Sequence, residues 1–255
     1  MTLYTATTPL SPLAQTIASE LVQAHRTGQP WNPGTFDAAL TMDDGYAVQA
    51  EVARQLALFV TGAAAWKVGG MSPNISASPL PVVLPDAADW SMSGVGMPAM
   101  EAEIAVRLSR TPLDAQDVLG CIGSICVAIE MVGTRLVGGM EAPTPWKLAD
   151  QQVHAVLVAG AEIPFTPDSS PVWKRQPYEV VVNGIQVAGG AETPMPSGDP
   201  LSTLPWLFEH ARRCGLDLRA GDLITTGAWA VIGVKPGDHV VARFEGVGEA
   251  SVRCY

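Results

Sequence analysis

Two glutamates alternate with apolar residues in the segment Met100–Leu108, which reads MEAEIAVRL. In an extended strand Glu101 and Glu103 point to one side, while Ala102 and Ile104 point to the other. A rise of about 3.3 Å per residue separates the two carboxylates by about 6–7 Å along the strand, so both can reach one cation. The same pattern is also typical of the solvated face of an edge strand, and this segment alone leaves both interpretations open.

A third glutamate, Glu130, lies within the apolar run Ile125–Val132, which reads ICVAIEMV. Such a continuous run predicts a strand that is buried on both faces. Burying an ionised carboxylate is costly, so Glu130 should be paired, protonated or bound to a metal. Arg135 is the candidate ion-pair partner. Three carboxylates on core strands favour instead a hard divalent cation with oxygen ligands.

Lys67 interrupts the apolar segment 63–70, which reads AAAWKVGG and ends in two glycines. A desolvated lysine has a lowered pKa and can act as an acid, a base or a group that stabilises an enolate. The alternative is a lysine at a strand end whose ammonium reaches solvent along the strand. If Lys67 is buried near the three carboxylates, its chemistry and theirs belong to one site.

The composition limits the class of protein. The chain has 255 residues, of which 47% are hydrophobic, enough for one large domain or one domain with a helical appendage. The net charge of −10 and the isolated pairs Lys174-Arg175 and Arg212-Arg213 argue against nucleic acid as a partner. No apolar run reaches the roughly 18 residues that cross a bilayer, and no secretion signal is recognisable. We therefore expect a cytoplasmic protein without a membrane partner, and cysteines that are reduced.

Helical spacing is confined to the start of the chain and one later segment. Ser11-Pro12 predicts a helix start with apolar spacing to about His25, and a second helix is expected from Asp43 or Asp44. Gly/Pro turns and short apolar runs follow, so we predict an α+β fold with a helical section over 1–62 and a mostly β catalytic domain over 63–255.

Within the β domain four further features are predicted. Asn183-Gly184 indicates a hairpin, and Asp199-Pro200 begins a helix that Gly215 ends. The final strands are expected at His239–Glu245 and Ala250–Tyr255. Residues 70–98 have no clear period and predict a long irregular segment that acts as a lid or binding loop.

Six motifs occur in one order and carry a family resemblance: WKVGG, MEAEIAVRL, AIEMVGTR, KLAD, GDPL, and TTGA followed by KPGD. Over roughly residues 40–254 the chain resembles the 2-keto-4-pentenoate hydratase and 4-oxalocrotonate decarboxylase branch of the fumarylacetoacetate hydrolase superfamily. The resemblance implies a mixed β-roll of the C-terminal type with an N-terminal helical section, in a homo-oligomer. It also implies that Glu101, Glu103 and Glu130 hold Mg²⁺ or Mn²⁺, with Lys67 beside the 2-oxo group of a small 2-oxo acid.

The chain departs from the family pattern near the expected site. The stretch after Lys67 is short and lacks a Pro-Asp-aromatic-Gly motif, and Asp86 is its nearest remnant. Gln151, Gln152 and His154 follow the Ala-Asp pair where the family has Asn and small residues. Asp86 and His154 are therefore the candidates for the second acid or base; a surface histidine at a strand start is the alternative for His154. These changes predict a substrate different from, or larger than, 2-hydroxypenta-2,4-dienoate.

The leading functional hypothesis is a metal-dependent lyase that hydrates a 2-hydroxy-alkadienoate in aromatic catabolism. The same chelate suits decarboxylation of a 2-oxo acid such as 4-oxalocrotonate or oxaloacetate, because it stabilises the enolate that remains. Hydrolysis of a C–C bond in an acylpyruvate would need a His/Glu pair upstream of the lysine, and His25 has no matching motif there. A fourth hypothesis is a non-catalytic paralogue that acts as a partner subunit.

Overall fold

The computed structural model describes residues 10–37, 39–166 and 175–255. Four α-helices lie in these ranges: α1 Pro12–Thr27, α2 Met42–Gln55, α3 Thr144–Ala149 and α4 Leu204–Arg213. The strands are β1 Ala65–Gly69, β2 Ser76–Leu80, β3 Val83–Pro85, β4 Ala88–Trp90, β5 Gly96–Leu108, β6 Ile122–Thr134, β7 His154–Ala159, β8 Ile163–Pro164, β9 Gln176–Val182, β10 Ile185–Thr193, β11 Leu223–Thr225, β12 Ala230–Gly233, β13 His239–Phe244 and β14 Gly248–Cys254. No helix in the described ranges is long and apolar enough to cross a membrane.

The two predicted N-terminal helices are confirmed, and local capping explains their limits. The Ser11 hydroxyl accepts the Ala14 N–H at 3.2 Å, and α1 ends before Gly28 in the left-handed conformation. Thr41 and Asp44 form a reciprocal capping box, so α2 begins one residue earlier than predicted. Both helices precede β1, and the boundary at residue 62 stays a prediction.

Two sheets form the β part. The larger sheet has nine strands in the order β2-β1-β11-β5-β6-β7-β3, with β12 also paired to β5 and β8 to β6. The smaller has the order β10-β9-β13-β14-β4. Strands β1 and β11 are parallel, whereas β5 pairs antiparallel with both β11 and β6. The mixed pairing and the few helices confirm the predicted α+β class.

Apolar packing joins the layers. The largest cluster of buried side chains includes Ile104 and Ile129 from the larger sheet and Val240 and Val252 from the smaller. A second cluster joins α1 and α2 to Trp146 of α3. The helical section is therefore packed against α3, which is joined to β7 by the short turn Gln151–Val153.

The irregular lid predicted for residues 70–98 is wrong. This segment holds β2, β3, β4 and the start of β5, and Leu80 and Trp90 within it are buried. Its sequence has no period because these strands are short and obtain their conformation from neighbours, β2 from β1 and β4 from β14. Whether such short segments form strands depends on pairing with neighbouring strands more than on their own residues.

The other local predictions are confirmed. β9 and β10 meet at Asn183-Gly184, both with positive φ, as a tight hairpin requires. The helix predicted from Asp199 begins as a 3₁₀ turn over Pro200–Thr203 and continues as α4. The two final strands are β13 and β14, which pair antiparallel.

Candidate metal centre and substrate cavity

Strands β5 and β6 bring the three glutamates together. Glu101 lies directly opposite Glu130 in the antiparallel register, and Glu103 is two residues further along β5 on the same side. One carboxylate oxygen from each lies within 4.8 Å of the others. Glu103 and Glu130 are buried, and Glu101 is half-buried. We call these three residues the carboxylate triad.

The triad fits a divalent cation. Oε2 of Glu130 is buried and has no hydrogen-bond partner among the described residues. A buried carboxylate oxygen without a partner is costly, and a cation would satisfy it. The three available ligands are all carboxylate oxygens, the donor type that Mg²⁺, Ca²⁺ and Mn²⁺ prefer. The interpretation of Glu101 and Glu103 as a solvated edge is wrong, because β5 lies between β11 and β6.

Lys67 on β1 is the cation nearest the triad. Its Nζ donates to Oε1 of Glu130 at 2.6 Å and lies 3.6 Å from Oε2 of Glu101. Only 7% of the residue is exposed, so it is not a strand-end lysine that reaches solvent. Burial disfavours the charged form, but Glu130 and then Glu101 and Glu103 outweigh it and raise the pKa of Lys67. The lowered pKa expected from the sequence is wrong, and the residue is an ammonium.

The three carboxylates differ in their protonation. Burial, reinforced by Glu130 and Glu101, raises the pKa of Glu103 to about 8, although the Gly227 N–H donates to it at 2.9 Å. Burial and Glu130 likewise raise the pKa of Glu101 against the attraction of Lys67. For Glu130 burial is outweighed, chiefly by Lys67, and its pKa is lowered. Without a cation the triad therefore retains a proton near neutral pH, and cation binding must release it.

His154, the first residue of β7, contacts Glu130 of the triad. Its Nδ1 lies 2.9 Å from Oε1 of Glu130, and the residue is buried, so the surface-histidine alternative is wrong. Burial lowers the pKa of His154 despite the neighbouring carboxylate, so the imidazole is neutral at neutral pH. Because ionised Glu130 only accepts hydrogen bonds, we assign the ring proton to Nδ1. His154 does not line the cavity that contains Glu101 and Glu103.

A buried ion pair fixes the segment that leads into β7. Asp150 accepts hydrogen bonds from the Arg135 side chain at 2.6 Å, the Arg135 backbone at 2.8 Å and the Thr134 hydroxyl at 2.8 Å. The same guanidinium donates to the carbonyl oxygens of Asp150 and His154. Arg135 is thus the partner of Asp150, and the alternative that it pairs with Glu130 is wrong.

The residues between these two anchors have an unusual backbone. Gln151, Gln152 and Val153 all have φ between 51° and 55°, a left-handed conformation that is unfavourable for residues other than glycine, above all for β-branched valine. This left-handed turn places the Gln152 carbonyl oxygen 3.4 Å from Lys67 Nζ. The Gln152 amide donates to the Ser76 hydroxyl at 3.2 Å.

A cavity of about 340 Å³ opens onto Glu101, Glu103 and Lys67, whereas Glu130 contacts Lys67 without being part of the lining. A larger groove of about 660 Å³ lies beside β9 and β13, but it contains none of the predicted site residues. We place the site in the smaller cavity because the charged groups converge there. Its lining comprises Lys67, Val68, Gly69, Gly70, Ser76, Glu101, Glu103, Met140, Thr144, Lys147, Leu148, Gln152, Val153, Pro196, Ser197, Gly227 and Ala228.

The structure does not bring Asp86 to this site. Its carboxylate accepts the Ser251 N–H at 2.7 Å and the Ser251 hydroxyl at 3.0 Å. It follows Pro85, which pairs with Ala159 at the far end of β7, about 16 Å along the strand from His154. His25 is not part of the cavity lining either, and burial lowers its pKa to about 3.

Lys147, Ser76 and Thr144 line the cavity but were not singled out as site residues from the sequence. Lys147 lies in the KLAD motif, which is the only sequence signal that could have pointed to it. Ser76 and Thr144 lie in segments without any chemical pattern. Their roles depend on where β2 and α3 pack.

Residues 39–254 match the model of the fumarylacetoacetate (FAA) hydrolase C-terminal family. The chain belongs to this family. It is 30% identical to a 2-keto-4-pentenoate hydratase from Paraburkholderia xenovorans (strain LB400), over 91% of each chain. It is 25% identical to a 4-oxalocrotonate decarboxylase from Pseudomonas putida, over 94% of this chain and 95% of that one.

Solved structures show the same fold. A 4-oxalocrotonate decarboxylase from Pseudomonas putida G7, complexed with magnesium and adipate, superimposes with a TM-score of 0.79. The two chains are 22% identical, and the match covers 97% of this chain and 99% of that one. Hydration and decarboxylation are both lyase reactions, and this chain is an enzyme of the lyase type.

The Arg135–Asp150 pair generates a stability prediction. Arg135→Met leaves the Asp150 carboxylate buried without its cation, which should lower the free energy of unfolding by about 3–5 kcal/mol. The matched control is Arg243→Met, which removes exposed ion pairs to Glu179 and Glu249 and should cost at most about 1 kcal/mol. Urea denaturation measures both. Equal losses for the two variants would contradict the structural role of Arg135.

The triad generates a prediction about metal binding. Mg²⁺ should bind at one equivalent per chain, and Glu130→Gln should abolish binding because it removes a charged oxygen ligand. Affinity should increase as the pH rises through about 8, because Glu103 must lose its proton before it can bind the ion. Isothermal titration calorimetry in buffers of different ionisation enthalpy measures both the affinity and the released proton.

The control for this titration is Glu162→Gln, which alters a carboxylate paired with Arg107 outside the cavity. That variant should bind Mg²⁺ as the wild type does. Unchanged binding in Glu130→Gln, or an affinity that does not depend on pH, would refute the assignment of the triad.

Proposed function

We propose that this enzyme is a Mg²⁺- or Mn²⁺-dependent lyase that acts on a small 2-oxo acid and hydrates a 2-hydroxy-alkadienoate. The observation that carries the proposal is the triad with Lys67 between Glu130 and Glu101, because Lys67, Glu101 and Glu103 line a cavity. The 30% identity to a 2-keto-4-pentenoate hydratase supports the reaction. A non-catalytic paralogue would have no need to retain three carboxylates and an ammonium in the interior, where each is costly.

In this proposal Glu101, Glu103 and Glu130 hold the cation. When bound, the cation supplies a Lewis acid that stabilises negative charge on the 2-oxo group. Lys67 holds a proton at Nζ next to that position and can donate a hydrogen bond to the developing oxyanion. Glu130 and the Gln152 carbonyl orient the ammonium, since both accept from it.

We propose that His154 is a positioning residue rather than the second acid or base. It touches Glu130 and is absent from the cavity lining, so its effect on the substrate passes through that carboxylate. Ser76 and Gln152 line the cavity and hydrogen-bond to each other. These neutral groups are positioned to orient water or substrate in place of the acid/base group of the Pro-Asp-aromatic-Gly motif, which the sequence does not contain. Asp86 is left out of the catalytic set.

Decarboxylation of a 2-oxo acid is the second candidate. The 25% identity to a 4-oxalocrotonate decarboxylase over nearly the whole chain supports it. The same residues serve both reactions, because each requires charge to be stabilised on the 2-oxo group. Product analysis with 4-oxalocrotonate and with 2-hydroxypenta-2,4-dienoate distinguishes release of CO₂ from addition of water.

The wider setting is also part of the proposal. The resemblance to hydratases supports a role in the breakdown of aromatic compounds, in the cytoplasm and in a homo-oligomer. Light scattering of the purified protein tests the oligomer. Growth of a deletion strain on aromatic carbon sources tests the setting.

The role of Lys67 generates a kinetic prediction. Lys67→Met should retain Mg²⁺ binding, because Lys67 is not a ligand, but should lose at least about 10²-fold in kcat. Lys235→Met changes an exposed lysine outside the cavity and serves as the matched control. The measurement is steady-state turnover of the dienoate or of 4-oxalocrotonate, with calorimetry for the ion. A near-normal kcat would show that Lys67 has only a structural role.

The role of His154 generates a separate prediction. Because His154 orients a proposed metal ligand, His154→Ala should weaken Mg²⁺ binding by about 10- to 100-fold. A proton donor would behave differently: its loss would reduce turnover at saturating Mg²⁺ and leave the ion's affinity unchanged. His239→Ala, on strand β13 of the other sheet, is the control. An unchanged Mg²⁺ affinity together with reduced turnover would instead indicate that His154 is a proton donor.

A further inference from the structure

We propose that Lys147 binds a second, distal carboxylate of the substrate, so that the enzyme prefers 2-oxo dicarboxylic acids to monocarboxylic ones. The inference rests on the proposed function, in which the 2-oxo acid end of the substrate lies at the carboxylate triad. It adds the chemical class of the distal end of the substrate, which is a carboxylate. It also accounts for the expectation that the substrate differs from a simple dienoate.

The position of Lys147 follows from helical spacing. Thr144, Lys147 and Leu148 are at i, i+3 and i+4 of α3, so they share one face of the helix. All three line the cavity of about 340 Å³ whose strand-built wall carries Glu101 and Lys67. A ligand that starts at the triad and extends across this cavity therefore reaches the α3 face.

Lys147 has a free charge. No ion pair or hydrogen bond of its ammonium is found among the described residues, and the side chain is half-buried. Its positive charge still acts on the site by lowering the pKa of Glu101. The raising effects of burial and Glu130 are larger, so the net shift of the Glu101 pKa is upward. Five arginines, by contrast, have carboxylate partners: Arg54 with Glu51, Arg107 with Glu162, Arg110 with Asp117, Arg135 with Asp150, and Arg243 with Glu179 and Glu249.

Charge balance shows that the triad does not need Lys147. A divalent cation and Lys67 together supply three positive charges, which balance the three carboxylates. The positive charge of Lys147 is therefore in excess of what the protein's own groups require. Apart from Lys67, Glu101 and Glu103, the residues that line the cavity with it are uncharged. An anionic group on the ligand is the partner that this arrangement lacks.

The backbone that carries Lys147 is held in place. The Gln49 amide donates to the Leu148 carbonyl at 3.0 Å, and the Gln151 amide donates to the Gln49 carbonyl at 2.9 Å. Gly45 of α2 approaches α3 so closely that a Cβ there would lie 2.5 Å from the Pro145 carbonyl oxygen. A cation on a fixed helix loses little backbone entropy on binding, which favours selective recognition.

The test compares two ligands that differ only at the distal end, 2-oxoadipate and 2-oxohexanoate, on the Mg²⁺-loaded full chain. Oxalate reports on the triad end alone. In the wild type 2-oxoadipate should bind about tenfold tighter or more than 2-oxohexanoate, as expected for a charged hydrogen bond. Lys147→Met should remove this difference while retaining Mg²⁺-dependent binding of oxalate. Lys147→Arg should keep most of it, and Lys235→Met all of it.

Two results would overturn the inference while leaving the proposed function standing. One is equal binding of the two ligands by the wild type. The other is a Lys147→Met variant that weakens both ligands equally, which would place Lys147 at the first carboxylate. Failure of oxalate and both 2-oxo acids to bind in a Mg²⁺-dependent way would refute the proposed function itself. Mg²⁺-dependent binding of oxalate by Lys147→Met shows that the variant is folded.

Discussion

The repulsion among three carboxylates held within 4.8 Å of one another is the constraint on which the rest of the structure depends. In a protein interior such repulsion is weakly screened, and each ionised group also loses its hydration. Neighbouring groups offset part of this cost. Lys67 and His154 both hydrogen-bond to Oε1 of Glu130, and the backbone N–H of Gly227 donates to Glu103. The remaining cost is relieved by a proton or by a cation.

Rigidity is what allows so unfavourable a cluster to persist. Glu101 and Glu130 are opposite each other on two thirteen-residue strands, each of which has neighbours on both sides. Behind them, the buried Arg135–Asp150 pair holds three consecutive residues in a left-handed conformation. That turn places the Gln152 carbonyl oxygen next to Lys67, and it places His154 next to Glu130. Local strain at this point is offset by the network on either side of it.

The helical section contributes to the site through α3. Trp146 shares an apolar cluster with α1 and α2, and the next residue, Lys147, reaches the cavity. The position of Lys147 at the cavity is therefore set by packing against α1 and α2, which contribute no residue to the cavity lining. Substitutions on α3 can therefore change this part of the cavity without altering β5 and β6, which carry the three carboxylates.

The sequence by itself determined the elements whose information is local. A cap at Ser11 defines the start of the first helix, period-two alternation places Glu101 and Glu103 on one face, and an apolar run buries Glu130. These patterns need no knowledge of distant residues. The tertiary structure alone decided the sign of the Lys67 pKa shift, the pairing of Arg135 with Asp150 and the strands within residues 70–98. Each of these depends on contacts between different elements of the fold, because electrostatic energies and strand pairing are set by distance in space.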